Sequence, residues 1–131
     1  MTRVRGDEAG ATSALNEVAL RGRAAAAGEE RTLPSGDVIV TLRVIVPREG
    51  AAARRPVGAG EVRRASVDTI DVVCWTARTR RAALRLAAGG GVEVGGALRR
   101  RFFGGPGGRQ SRYEVEATSV RRVARGAPVA S

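Results

Sequence analysis

The sequence predicts an all-β domain with one short helix. Every second residue of Val38–Val46 is Val or Leu, the pattern of a strand with one buried face. Val92–Ala117 contains two further alternating runs, joined by the glycine-rich turn Gly104–Gly108. Only Thr79–Ala88 has a helix-forming composition. A chain of 131 residues that is 43% hydrophobic is the size of one domain with a modest core.

The first half of the chain predicts three strands. Asn16–Arg23 alternates apolar and polar residues and is expected to form the first strand. A second, short strand is expected at Glu30–Leu33. The turn signal Pro34–Asp37 leads into Val38–Val46, whose even-numbered residues share an apolar face while Arg43 faces the other way.

The second half predicts a loop, a strand, a helix and a hairpin. Pro47–Arg64 is rich in Gly, Ala, Pro and Arg and has no period, which predicts a long mobile loop. The next strand, Ser66–Trp75, carries two sets of side chains on opposite faces: Ile70, Val72 and Cys74 on one, and Thr69, Asp71, Val73 and Trp75 on the other. The helix is expected to have Thr79 as its cap, Leu84 and Leu86 as anchors and Gly89 as its stop.

The order of these elements matches the OB-fold, a five-stranded Greek-key barrel with a helix between its third and fourth main strands. We expect residues 14–124 to form this domain. Residues 1–13 are small, polar and aperiodic and are interpreted as a flexible arm, and residues 125–131 as a short disordered tail.

The final hairpin combines positive charge with aromatic rings. Because side chains alternate along a strand, Arg99, Arg101 and Phe103 are expected on one face, and Val92, Val94 and Leu98 on the core face. Guanidinium groups that bind phosphates, beside rings that stack on bases, hold single-stranded nucleic acid in this way. Phe102 has the parity of the core face and is expected to pack under the hairpin, and Tyr113 suits either packing or base contact.

The charge balance also favours a nucleic-acid partner. The net charge is +10, from 23 basic and 13 acidic residues, and every basic residue is an arginine. Arginine binds phosphate in a bidentate manner and stacks on rings. A GC-rich genome would equally explain the choice of arginine over lysine, but not the excess of basic residues over acidic ones.

Several functional classes are excluded. The chain has no histidine and a single cysteine, Cys74, so it cannot form an ordinary zinc site or a histidine-based triad. No metal, cofactor or catalytic residue is expected, and Gly95–Gly96 is interpreted as a bulge or a close backbone approach rather than a phosphate loop. Without a membrane-spanning run or signal peptide, the expected location is the cytoplasm.

Four segments, in their order and spacing, resemble the bacterial single-stranded DNA-binding proteins, of the short-chain type found in actinobacteria. They are Asn16–Gly22, Leu33–Gly36, Asp71–Trp75 and, above all, Val92–Phe103. The resemblance covers residues 14 to 124. It implies an OB-fold that binds single-stranded DNA without catalysis and assembles as a homotetramer, with a dimer as the alternative.

The resemblance also implies an aromatic platform for the bases. Members of this family usually have four platform rings in each subunit, and two of those positions are filled here, by Trp75 and Phe103. The other two fall at or near Pro47 and Thr69, which are not aromatic. Binding is therefore expected to depend more on charge and to be steeper in salt.

A second departure lies at the C-terminus. Typical members continue into an acidic tip that recruits replication and repair proteins, whereas this sequence ends in Arg121–Ser131. That leaves open whether the chain recruits such partners.

These interpretations define a candidate nucleic-acid site, with two alternatives for its function. The site residues are Trp75, Phe103, Arg99, Arg101, Arg43, Thr69 and Tyr113. One alternative is RNA as the ligand, and the other is an OB-fold subunit that docks on a replication or primosome assembly and contacts nucleic acid only incidentally.

Overall fold

The described part of the chain contains six strands and one short helix, as the sequence predicts. The structure is a computed structural model, and it describes residues 13–49, 66–104 and 107–124. The elements in chain order are β1 (Val18–Ala24), β2 (Glu29–Thr32), β3 (Val38–Pro47), β4 (Val67–Cys74), α1 (Ala77–Leu84), β5 (Gly91–Phe103) and β6 (Gln110–Val123).

Five of the strands close into a ring, which confirms the predicted Greek-key barrel. The pairing runs β1–β5–β6–β4–β3, and β3 returns to β1 through Arg23 opposite Ile45 and Ala24 opposite Val44. The β4–β6 pair is parallel and the others are antiparallel. The short strand β2 pairs only with β3 and lies outside the ring.

The barrel interior is filled by β-branched and small side chains, because alternation along each strand places every second residue inside. Val40, Val44 and Val92 have no exposed surface, and Val72 is 1% exposed. Burial of each such side chain stabilises the fold by about 1.5–3 kcal/mol. The other members of this core are Ala24, Leu42, Cys74, Ala83, Leu86, Val94, Val115 and Ala117.

The long strand β6 pairs with both β5 and β4, and it contains a bulge. Gly95 pairs with Ser119 but Gly96 pairs with Ala117, so Thr118 has no partner opposite it. A Cβ added to Gly96 would lie 2.1 Å from the backbone oxygen of Glu116, so only glycine allows the strands to approach this closely. The prediction of a bulge or a close backbone approach at Gly95–Gly96 is confirmed, and the structure shows both.

The helix is shorter than predicted and begins earlier. Its N-cap is Thr76, whose side chain accepts a hydrogen bond from the backbone N–H of Thr79 at 3.2 Å. The prediction of Thr79 as the cap is wrong, because Thr79 lies in the first turn and is buried. Leu86 is buried as predicted, but Leu84 is 43% exposed, since Thr79 and Ala83 define the buried face of the helix.

Some predictions concern residues outside the described part of the chain. They are residues 1–12 of the predicted arm, residues 50–64 of the predicted loop and the predicted tail at 125–131. Within the described ranges, no helix is long and apolar enough to cross a membrane.

Candidate nucleic-acid interface

The outward faces of β3 and β4 bring three of the predicted site residues together. Arg43 is opposite Asp71, and Ile45 is opposite Thr69, so Arg43 and Thr69 lie on the same side of the sheet. Trp75 lies one residue beyond β4, at a position with the parity of Thr69 and Asp71, and it is half-buried.

The hairpin β5–β6 continues this face. Arg101 is opposite Arg112, and Phe103 is opposite Gln110, while β6 joins the face of β4 where Glu116 lies opposite Val73. Six of the seven predicted site residues therefore lie on one side of the sheet, called here the outer face. They are Arg43, Thr69, Trp75, Arg99, Arg101 and Phe103.

A cleft of about 470 Å³ opens on the outer face between the hairpin and the β2–β3 side of the barrel. Arg43, Arg101 and Phe103 line it, together with the small side chains of residues 25–27. Phe103 is 39% exposed, so part of its ring is available for stacking. Thr69, Trp75 and Arg99 lie on the same face but do not line this cleft.

The predicted arginines of the outer face are held by carboxylates. Each of them forms an ion pair with an acidic side chain of the neighbouring strand, and each pair is partly exposed to solvent. The pairs are Arg99 Nε with Glu116 Oε1 at 2.9 Å, Arg101 Nη1 with Glu114 Oε2 at 3.2 Å, and Arg43 Nε with Asp71 Oδ1 at 3.2 Å. Exposed pairs of this kind contribute about 0–1 kcal/mol, so a phosphate can compete for the guanidinium group.

Tyr113 lies on the opposite side of the hairpin. It is directly opposite Arg100, whose guanidinium carbon is 5.4 Å from the centroid of the Tyr113 ring. Tyr113 is 56% exposed, so it is not a packed core residue. The structure therefore does not place it with the other six predicted residues.

The expectation that Phe102 packs under the hairpin is wrong, whereas Leu98 lies on the predicted face, opposite the buried Val115, but is not itself buried. Phe102 is 55% exposed and Leu98 is 44% exposed, although both have the parity of the buried Val92 and Val94. For Phe102 the cause is the length of the hairpin: β4 pairs with β6 only at Val115 and Glu116, and no other described strand pairs with β6 beside the distal part of the hairpin. Parity predicts the face but not whether anything packs against that face.

Arg112 is a candidate that the sequence interpretation missed. Its guanidinium carbon is 5.6 Å from the Phe103 ring centroid, and that of Arg101 is 5.8 Å from the same ring. Both arginines line the cleft. The sequence alone did not identify Arg112, because its position depends on the hairpin register, which places Arg112 directly opposite Arg101.

A second cleft, of about 1040 Å³, lies on β1, β5 and β6, and here two arginines share one carboxylate. Glu93 accepts hydrogen bonds there from both Arg21 and Arg121. The Arg21 guanidinium and then that of Arg121 hold the pKa of the Glu93 carboxyl below its usual value of 4.5. Glu93 lies on β5, and its carboxylate links this strand to Arg21 on β1 and to Arg121 on β6.

The Cys74 thiol is buried in the barrel. Burial raises the pKa of the Cys74 thiol to about 11, and a hydrogen bond with Thr79 opposes this only in part. In the described ranges, no three acidic, histidine or cysteine side chains cluster as metal ligands.

Comparison with known proteins agrees with this geometry. The model of the single-strand binding protein family matches residues 15–123. No individual curated protein matches the sequence significantly. The family match covers the whole barrel and its long hairpin, in a fold of the OB type. The chain therefore belongs to the single-strand binding protein family, a non-catalytic family that binds single-stranded DNA.

Proposed function

We propose that the outer face binds single-stranded DNA without regard to sequence. Bases stack on Trp75 and Phe103. Phosphates contact Arg43, Arg99 and Arg101. The hydroxyl of Thr69 adds a polar contact. The observation that carries the proposal is the cleft in which Arg43, Arg101 and Phe103 meet. The biological role is to coat and protect exposed strands during replication, recombination or repair in the cytoplasm.

The chemistry of this face explains why the binding does not depend on sequence. A ring recognises the flat face that every base has, and a guanidinium group recognises the phosphate that every nucleotide has. Each stacked base contributes about 1–3 kcal/mol. With Thr69 in place of a ring, more of the affinity comes from phosphate contacts, so the binding should weaken steeply as salt rises.

We assign this binding function to residues 14–124 and expect the domain to act as a homo-oligomer, a tetramer with the dimer as the alternative. Support comes from the family and from β1, which pairs with β5 along Val18–Arg23 but with β3 only at Arg23 and Ala24. A second copy can pair with the remaining edge. Light scattering on the full chain measures the subunit number.

The second candidate is an interaction subunit of a replication or primosome assembly. Two observations favour it: Pro47 and Thr69 are exposed but not aromatic, and the predicted arginines of the outer face are ion-paired with acidic residues. In that case the OB-fold docks on a protein and contacts nucleic acid only incidentally.

Fluorescence anisotropy with three labelled ligands separates the candidates. The ligands are oligo(dT), RNA of the same length and a matched DNA duplex, each titrated at low and at moderate salt. The proposal expects tightest binding to oligo(dT), still measurable at moderate salt. Equal binding of RNA and DNA would show indifference to the 2′-hydroxyl and support the RNA alternative. Absence of binding at moderate salt, together with a stable hetero-complex, would establish the interaction subunit.

A further inference from the structure

The β5–β6 hairpin has a second exposed face, on the side away from the outer face. It consists of Arg100, Phe102, Arg109 and Tyr113, and is called here the inner hairpin face. The Phe102 ring centroid is 4.9 Å from the Arg100 guanidinium carbon and 5.2 Å from that of Arg109. Arg100 also lies 5.4 Å from the Tyr113 ring centroid, so guanidinium groups and rings alternate across the face.

The use of aromatic residues in this chain is informative. The sequence contains four aromatic residues, Trp75, Phe102, Phe103 and Tyr113, and two of them lie on the inner hairpin face. Phe102 and Tyr113 are 55% and 56% exposed, which is more than the 39% of Phe103. Neither ring contributes to the barrel core, so packing does not account for them.

The inner hairpin face also differs from the outer face in charge. Among the described residues, Arg100 has no ion pair with an acidic side chain, and its polar contact is with the Ser111 hydroxyl at 3.3 Å. Arg109 likewise contacts a ring and no described carboxylate. The three arginines predicted for the outer face are instead each paired with Asp or Glu. No described carboxylate therefore compensates the positive charge of the inner hairpin face.

We propose that the inner hairpin face binds a second segment of the same single-stranded DNA, so that the strand passes around the hairpin. Uncompensated guanidinium groups beside half-exposed rings fit a polyanion with flat bases. Phe102 and Phe103 are consecutive residues that point to opposite sides of the strand. A strand stacked on Phe103 therefore has only to cross the hairpin to reach Phe102.

This inference rests on the proposed function of the outer face, and strand length separates the two. An oligo(dT) of roughly 8 nucleotides, within the 4–16 that one OB domain covers, occupies only the outer face, whereas one of roughly 30 reaches both faces. The variant is Phe102→Ala/Tyr113→Ala, and the matched control is Phe103→Ala, a ring of the outer face. Thermal melting checks that each variant is folded.

The proposal predicts that the double variant binds the long strand about 25-fold or more weakly, since each lost stack costs at least about fivefold. Its affinity for the short strand stays that of the wild type, while Phe103→Ala weakens the binding of both strands. Wild-type affinity of the double variant for both strands overturns the second segment and leaves the outer face intact. Equal losses on both strands also overturn it, because the rings would then serve the first segment.

Two further results complete the test. A wild-type protein that binds neither strand refutes the proposed function itself, and this inference with it. Photo-crosslinking of the long strand, with iodouracil at successive positions, gives an independent measurement. Crosslinks to Phe102 or Tyr113 from positions that do not crosslink to Phe103 support two segments, whereas crosslinks to all three rings from the same positions contradict them.

Discussion

The carboxylates of the outer face should restrain DNA binding, and their removal should strengthen it. Three acidic side chains hold the arginines that we assign to phosphates. Asp71 lies 3.2 Å from Arg43, and Glu114 and Glu116 lie 3.2 and 2.9 Å from Arg101 and Arg99. The triple variant Asp71→Asn/Glu114→Gln/Glu116→Gln keeps the shapes of these side chains and removes three negative charges.

The expected gain follows from Coulomb's law. A phosphate that replaces the carboxylate at a guanidinium group lies about 7 Å from the displaced negative charge, and repulsion at that distance in water is about 0.6 kcal/mol. Release of the arginine from an exposed ion pair adds up to about 1 kcal/mol per pair. The three changes together should contribute about 1.8–4.8 kcal/mol, which corresponds to about 20- to 3000-fold tighter binding.

Anisotropy titration of labelled oligo(dT) across a range of salt concentrations measures both the affinity and its salt dependence. The slope of log K against log salt should be at least as steep in the triple variant as in the wild type, because the same arginines contact phosphates and the protein carries three fewer negative charges. Glu93→Gln is the matched control, because it removes the same type of charge in the other cleft. Unchanged or weaker binding by a folded triple variant would refute the assignment of these arginines to phosphates.

The structure supports three further predictions. Phe103→Ala should weaken oligo(dT) binding by about tenfold without lowering the melting temperature, because a half-exposed ring is lost from the cleft. Anisotropy measures the affinity and thermal melting measures the stability. Unchanged affinity would mean that Phe103 does not stack on a base. Gly96→Ala should destabilise the fold by about 2–3 kcal/mol in denaturant titration, because the added Cβ meets the backbone of β6. The control is Gly95→Ala, which should cost less because its added Cβ meets only the movable side chain of Ser119. Arg21 and Arg121 depress the pKa of Glu93, so its stabilisation is present above pH 4.5 and is lost as the pH falls through the lower folded value. The melting temperatures of the wild type and Glu93→Gln should therefore differ at neutral pH and converge as the pH falls below the lowered pKa of Glu93, and a constant difference would contradict this.

The barrel was predictable because the alternation of apolar residues along a strand indicates which of its faces is buried. Val38–Val46 alternates in a way that suits only a half-buried strand, and the structure buries Val40, Leu42 and Val44 as expected. The start of the helix was less predictable: the sequence analysis placed the N-cap at Thr79, whereas Thr76 takes that position. The choice between them depends on where β4 ends, which is a property of the sheet.

The candidate site was predictable in its face but not in its contacts. Alternation correctly places Arg99, Arg101 and Phe103 together. The ion pair of Arg99 with Glu116 depends on the register across a glycine-rich turn, which the sequence leaves open. The exposure of Phe102 depends on how far the hairpin extends past β4, and this length is set by the tertiary structure.

The most direct test of the outer face is the fluorescence of Trp75, the single tryptophan of the chain. Oligo(dT) is titrated into the full-length protein while Trp75 emission is followed at low and at moderate salt. Our account predicts strong quenching that persists at moderate salt, because a base stacks on the indole ring. Binding without quenching, or binding that disappears with salt and is matched by duplex DNA, would mean a general basic surface and would contradict the account.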